Sequence, residues 1–186
     1  VFALDSSGGN TIYGALAIFM TSTSIIMRAY ENSSTVKVFS TTYSSLGVNK
    51  EDLNHYVFTF DVSAMAVLVY ANNGASNSPS TSGTATSFSH TFTEIHLANL
   101  LSGTIYELTG KMCQLAVWDK ILSQDEVSEI YHDGRAKSLN RHSAVASLVH
   151  WYKLGQEASW PSVTSDLSSF TTIPDSTPRG LKVALT

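Results

Sequence analysis

The sequence predicts an all-β fold carrying one short helix, over Gln124 to His132. Segment after segment alternates apolar with polar residues, which is the period of a half-buried strand. That period gives way to a helical one directly after Ser123. Charged residues make up only 14% of the chain, against roughly 25% in ordinary soluble domains, and Ser and Thr fill the surface positions instead. At 186 residues the chain suits one domain, able to bury roughly 70% of the surface its unfolded form exposes.

Taken in order, residues 11 to 30 read as two strands separated by the Ser/Thr run Thr21 to Ser24. Asn32 to Ser34 reads as a turn, and Asn32-Ser33-Ser34 has the form of a glycosylation sequon. Thr35 to Thr42 alternates Val36, Val38 and Ser40 against Lys37, Phe39 and Thr41. His55 to Asp61 and Val67 to Ala71 read as paired strands, with Asn73-Gly74 as the hairpin signal because both residues tolerate positive φ. The polar tract Ala75 to Gly83 follows, too long for a routine connection. It is expected to be a mobile insertion, or else to meet a ligand or a neighbouring chain. Phe88 to Ala98 alternates again but mixes polar and apolar residues on both faces.

Met112 to Trp118 is the next strand, with Met112, Gln114, Ala116 and Trp118 on one side and Cys113, Leu115 and Val117 on the other. Ser123 followed three residues later by Glu126 is a capping box, in which hydroxyl and carboxylate each satisfy an orphan amide of the first turn. Leu122 and Val127 stand where a hydrophobic staple needs them. Val127, Ile130 and Tyr131 form one apolar stripe, and Gly134 is expected to supply the left-handed residue that ends the helix. Cys113, the only cysteine, rules out an internal disulfide and is expected to be a buried structural thiol.

The run Gly110, Leu115, Val117-Trp118-Asp119, Leu122-Ser123, Glu126, Tyr131 and Gly134 resembles the closing strand and helix of laminin-G-like domains. His55 to Asp61 and Val67 to Gly74 resemble a strand and hairpin of the same family. Leu148-Val149-His150-Trp151-Tyr152-Lys153-Leu154-Gly155, with Ile173-Pro174-Asp175 to Leu181, resembles its first strand and the segment after it. The sequence departs from the family in the long tract after Gly74 and in Ala98, where relatives have Gly. The resemblance implies a concanavalin A-like jelly-roll, a two-sheet antiparallel sandwich spanning 1–186. Residues 148–186 then either close that same sandwich or start a second module. Asp133-Gly134-Arg135-Ala136, Ser138-Leu139-Asn140, His142-Ser143 and Trp160-Pro161 extend the likeness to laminin-G-like proteins of marine bacteriophage genomes. What this implies is a virion component, in contact with other copies of itself or with other virion proteins. Val1 in place of Met fits a processed chain or the ordered part of a longer one.

The chemistry of the chain points away from catalysis. Jelly-roll glucanases need two carboxylates on one strand face, roughly 5 to 5.5 Å apart in the retaining type, and no Glu-x-Asp-x-x-Glu occurs here. The six histidines form no His-Glu-x-x-His and no Cys/His cluster, so no zinc cofactor is indicated. His90 and His96 share a face at even spacing, and a sheet pair bonded to its neighbours accounts for them. Asp61 or Asp5 could serve a calcium ion of the kind some laminin-G-like domains hold, but hard oxygen sites gather several carboxylates, and calcium is not indicated. A net charge of −4 gives no basic stripe for nucleic acid, and no apolar run reaches the roughly 18 residues of a membrane span. Aromatic stacking on sugars remains. Trp160 is the tryptophan expected to face solvent, with Asn72, Asn73 and Asn77 to fix a bound glycan. Two roles follow: assembly within a virus particle, or glycan-binding adhesion on a virion, a cell surface or a secreted protein.

Overall fold

The computed structural model describes residues 2–5, 15–92, 94–97, 112–132, 138–153, 172–174 and 182–184. The protein is predominantly β, its strands paired antiparallel, with one α-helix among the described residues. Two compact units divide the chain, Val1–Gly110 and Lys111–Thr186.

The first unit holds β1 (Phe2–Asp5), β2 (Leu16–Met20), β3 (Ser24–Tyr30), β4 (Val36–Thr42), β5 (Tyr56–Asp61), β6 (Ala66–Ala71), β7 (Ser80–Gly83) and β8 (Glu94–Leu97). Six of these make one sheet in the order β7-β4-β3-β2-β1-β8. Thr21 Oγ1 accepts the amide of Ser24 at 3.0 Å and so closes the β2–β3 turn, where the Ser/Thr run predicted one. Along β4 the Phe39 side of the alternation is the buried one: Phe39 and Thr41 are covered while Val36 and Val38 are only half-buried.

One face of the sheet presents Leu4, Leu16, Met27 and Phe39 to the hairpin β5–β6, whose Met65, Val67 and Val69 complete the core. Phe60 sits edge-on to Phe39 at 6.1 Å and to Phe88 at 5.2 Å, a geometry that rings favour over face-to-face stacking. The other face is apolar as well, with Ala3, Ala17 and Phe19 buried beside Ile26, and the Arg28 guanidinium lies 4.9 Å from the Phe19 ring centroid.

Two expectations for this unit need correction. The return after β6 uses Asn72 and Asn73 as its left-handed pair, at φ 48° and 61°, and closes with the Gly74 amide donating to Ala71 O at 2.8 Å. The turn therefore sits one residue earlier than the Asn-Gly pair suggests, because Asn tolerates the left-handed region and the Asn72 side chain is anchored there. The tract after it is an ordered part of the fold instead of a mobile insertion. Asn77 exchanges two backbone hydrogen bonds with Val69, and Ser80–Gly83 then pairs with Lys37–Ser40 as the edge strand β7. Gly83, at φ 92°, ends that strand where a Cβ would meet Val36 O at 2.2 Å.

The second unit holds β9 (Leu115–Trp118), α1 (Gln124–Tyr131), β10 (Leu148–Tyr152), β11 (Thr172–Pro174) and β12 (Lys182–Ala184). β9 pairs with β10, from Leu115↔Tyr152 to Leu148↔Trp118, and β11 pairs with β12. Between α1 and β10 run two short 3₁₀ turns, Leu139–Arg141 and Val145–Ser147.

The capping box of α1 is complete: Ser123 Oγ accepts the Glu126 amide at 3.3 Å, and the Glu126 carboxylate accepts the Ser123 amide at 2.8 Å. Leu122, Val127 and Ile130 are buried, as the staple and stripe require. The left-handed cap is His132, at φ 40°, and not Gly134, which lies outside the described residues. Cys113 also corrects the reading. It lies ahead of the ladder that begins at Leu115, and it is exposed, so alternation began three residues ahead of the strand it predicted.

Candidate recognition site

Asn72, one of the residues singled out in the sequence, stands at the end of the hairpin where β5 begins and β6 ends. Asn72 is half-buried there, held by the turn that closes β6. Its Oδ1 accepts the His55 amide at 2.9 Å, its own amide donates to His55 O at 2.9 Å, and its Nδ2 donates to Asn54 Oδ1 at 2.8 Å. Asn54 Nδ2 in turn donates to Asn49 O at 2.7 Å and Asp52 O at 3.0 Å. The loop 49–55 and the Asn72 turn are thus stitched into one rigid corner.

Two tyrosines belong to the same corner. Burial pushes the Tyr56 phenol up to about 12, the field of Tyr43 adds to this, and a hydrogen bond with Asn54 opposes it. Burial also raises Tyr43, which the Lys50 ammonium partly offsets, and its hydroxyl donates to Thr21 O at 3.1 Å. Both stay protonated at neutral pH. Half-buried His55 is held below the ordinary imidazole range by desolvation.

Of the four predicted ligand residues, Asn72, Asn73 and Asn77 are described. Asn72 and Asn73 are adjacent, with Asn73 exposed and Asn72 turned into the corner. Asn77 lies across β6 from Val69, and its Oδ1 accepts the buried Thr41 hydroxyl at 2.8 Å, tying the hairpin to the large sheet. Trp160 lies outside the described residues. What sequence reasoning missed is the company Asn72 keeps, namely Asn49, Asn54, Tyr43 and Tyr56. Only the Asn54-His55-Tyr56 run beside a strand start signalled it.

The other flagged groups serve local structure. Asp61 Oδ1 accepts the Ser63 amide at 2.9 Å, the Ser63 hydroxyl at 2.7 Å and the Ala64 amide at 3.0 Å, which cap the β5–β6 turn and hold its carboxyl below the usual range. The Asp5 side chain lies outside the described residues. His90 Nε2 is 2.8 Å from Tyr30 O and its ring packs on Phe88, while the His96 side chain lies outside the described residues. Among the described residues no three His, Cys, Asp or Glu side chains converge on a point where a metal could sit. No helix among them is long and apolar enough to cross a membrane. No protein-family model matches the chain, and neither the curated proteins nor the solved structures contain a match.

Proposed function

We propose that this chain is a non-enzymatic structural component of a bacteriophage particle. In this reading it is a capsid-associated, decoration or fibre protein, and a laminin-G-like jelly-roll sandwich makes its contacts with other copies or with other virion proteins. The resemblance of three separate stretches of sequence to that family supports the reading.

The observation that carries it over adhesion is the use made of the polar loops. A glycan site needs amides that turn outward to sugar hydroxyls. Here Asn72 spends its carbonyl oxygen on His55 and its amide on Asn54, Asn77 spends its carbonyl oxygen on Thr41, and the tract after Gly74 is laid into the sheet as β7. Polar residues employed this way build a fixed surface, which is what assembly contacts demand, since a partner then meets no loop that must first be ordered.

Glycan-binding adhesion is the second reading, favoured by the exposure of Asn73 beside the Tyr56 corner. Purified protein is added to particles lacking it and, separately, to a broad glycan panel. Saturable co-sedimentation with the particle and silence on the panel is the expected outcome. Selective glycan binding that Asn73→Ala abolishes in a folded protein would replace assembly with adhesion.

A further inference from the structure

Among the described residues between α1 and β10, the two 3₁₀ turns are held by their own backbone bonds, by the Asp119 amide donating to Ser147 O at 3.0 Å, and by side-chain ties to α1. His142, only 3% exposed, is the central one. Its Nδ1 accepts the Ala144 amide at 3.0 Å, and its Nε2 lies 2.9 Å from the carbonyl oxygen of Glu126 in α1. A ring nitrogen that accepts carries no proton, so the hydrogen resides on Nε2, which donates to Glu126 O. Both bonds hold only for this one neutral tautomer.

We propose that His142 is an acid-sensitive latch joining residues 138–147 to α1, closed by the neutral imidazole and opened by its protonation. A proton arriving from solvent takes the Nδ1 lone pair, sets two N–H groups face to face, and breaks the bond from Ala144. It also places a positive charge in a covered site. The charged group facing that site from α1 is the Glu129 carboxylate, 3.8 Å from Nε2 and already accepting the Ser143 amide at 3.0 Å. From the same helix Glu126 offers only its backbone, its carboxylate being turned to Lys120 and the Ser123 amide. From β9 comes the uncharged Trp118 ring, at 5.8 Å between centroids. The Glu129 side chain is 28% exposed, so water screens its attraction. The β9–β10 ladder stays intact while the segment leading into β10 is released.

The test uses the full chain. Nitrogen-15 spectra of the imidazoles at neutral pH should show His142 as the Nε2–H tautomer, and the Nδ1–H form would overturn the proposal. Amide exchange is then followed from about pH 7.5 to about pH 5, the range of imidazole titration, and corrected for intrinsic rates against the β5–β6 hairpin. Protection of residues 142–147 should fall about tenfold in the wild type, the loss expected of one local hydrogen bond. It should hold steady in His142→Asn, which keeps an acceptor near the Nδ1 position without titrating. Unchanged protection in the wild type, or an equal loss in His142→Asn, refutes the latch, and the wild-type arm decides even where the variant does not fold.

Discussion

Two glycines with positive φ separate conformational cost from steric cost. Gly47, at φ 67°, has nothing within 4 Å of where a Cβ would stand, whereas a Cβ on Gly83 would lie 2.2 Å from Val36 O. Gly47→Ala should therefore lose only the left-handed penalty, about 1 kcal/mol. Gly83→Ala should lose on the order of 3 kcal/mol, because backbone and not a yielding side chain blocks the space. Urea midpoints of the two variants read the difference directly. His55 gives the corresponding prediction in pH. Its folded-state affinity for a proton is depressed by burial, so the stability it contributes is full above the ordinary imidazole value and drains away as pH falls through the lower folded value. The wild type should lose stability between about pH 7 and about pH 5 more steeply than His55→Gln, as followed by urea unfolding at each pH. At this scale the sequence was legible where partners lie within a turn. Ser123 and Glu126 are three residues apart and could be paired on paper, but Asn72 finds His55 seventeen residues away, and no local pattern announces that bond.

Elements were legible in proportion to how much apolar surface they bury. β3 hides Ile25, Met27 and Ala29 on one face, and its period shows in the sequence. β7, by contrast, is Ser-Thr-Ser-Gly with every residue exposed, held by backbone bonds that leave no trace in hydrophobicity. The same limit explains β9, where alternation continued through Met112 and Cys113 although pairing with β10 starts only at Leu115. The corner at the hairpin end makes a prediction of its own. Asn72→Ala removes the side-chain bonds to His55 and Asn54 and forces alanine to φ 48°, so it should destabilise the first unit by about 2 to 3 kcal/mol. Asn72→Gly should recover about 1 kcal/mol of that by relieving only the backbone. Thermal unfolding distinguishes the two, and equal losses would mean that the bonds alone hold the corner. In α1 the capping box should be worth about 1 kcal/mol, read as faster amide exchange in its first turn on Ser123→Ala.

At the scale of the whole molecule, β content and the presence of one helix were readable, while the order β7-β4-β3-β2-β1-β8 was not. It places β8 beside β1, and β7 beside β4, across long stretches of intervening chain. Such neighbours are chosen by which faces must be covered, a matter that adjacent residues do not record. Composition speaks at this scale too. With a net charge of −4 and a pI near 5.8, the protein should scatter more light as the pH is lowered toward that value and repulsion between copies vanishes. The reach of β7 bears on what happens when copies come close. An open sheet edge is a template, and a visiting strand gains by reading a long stretch of it. Here the readable stretch is about 13 Å, four residues long, with Pro79 just ahead of it and left-handed Gly83 closing it. A second chain arriving at this edge finds too little backbone to zip against. Molecules crowded side by side on a common surface can thus touch there without seeding a fibril.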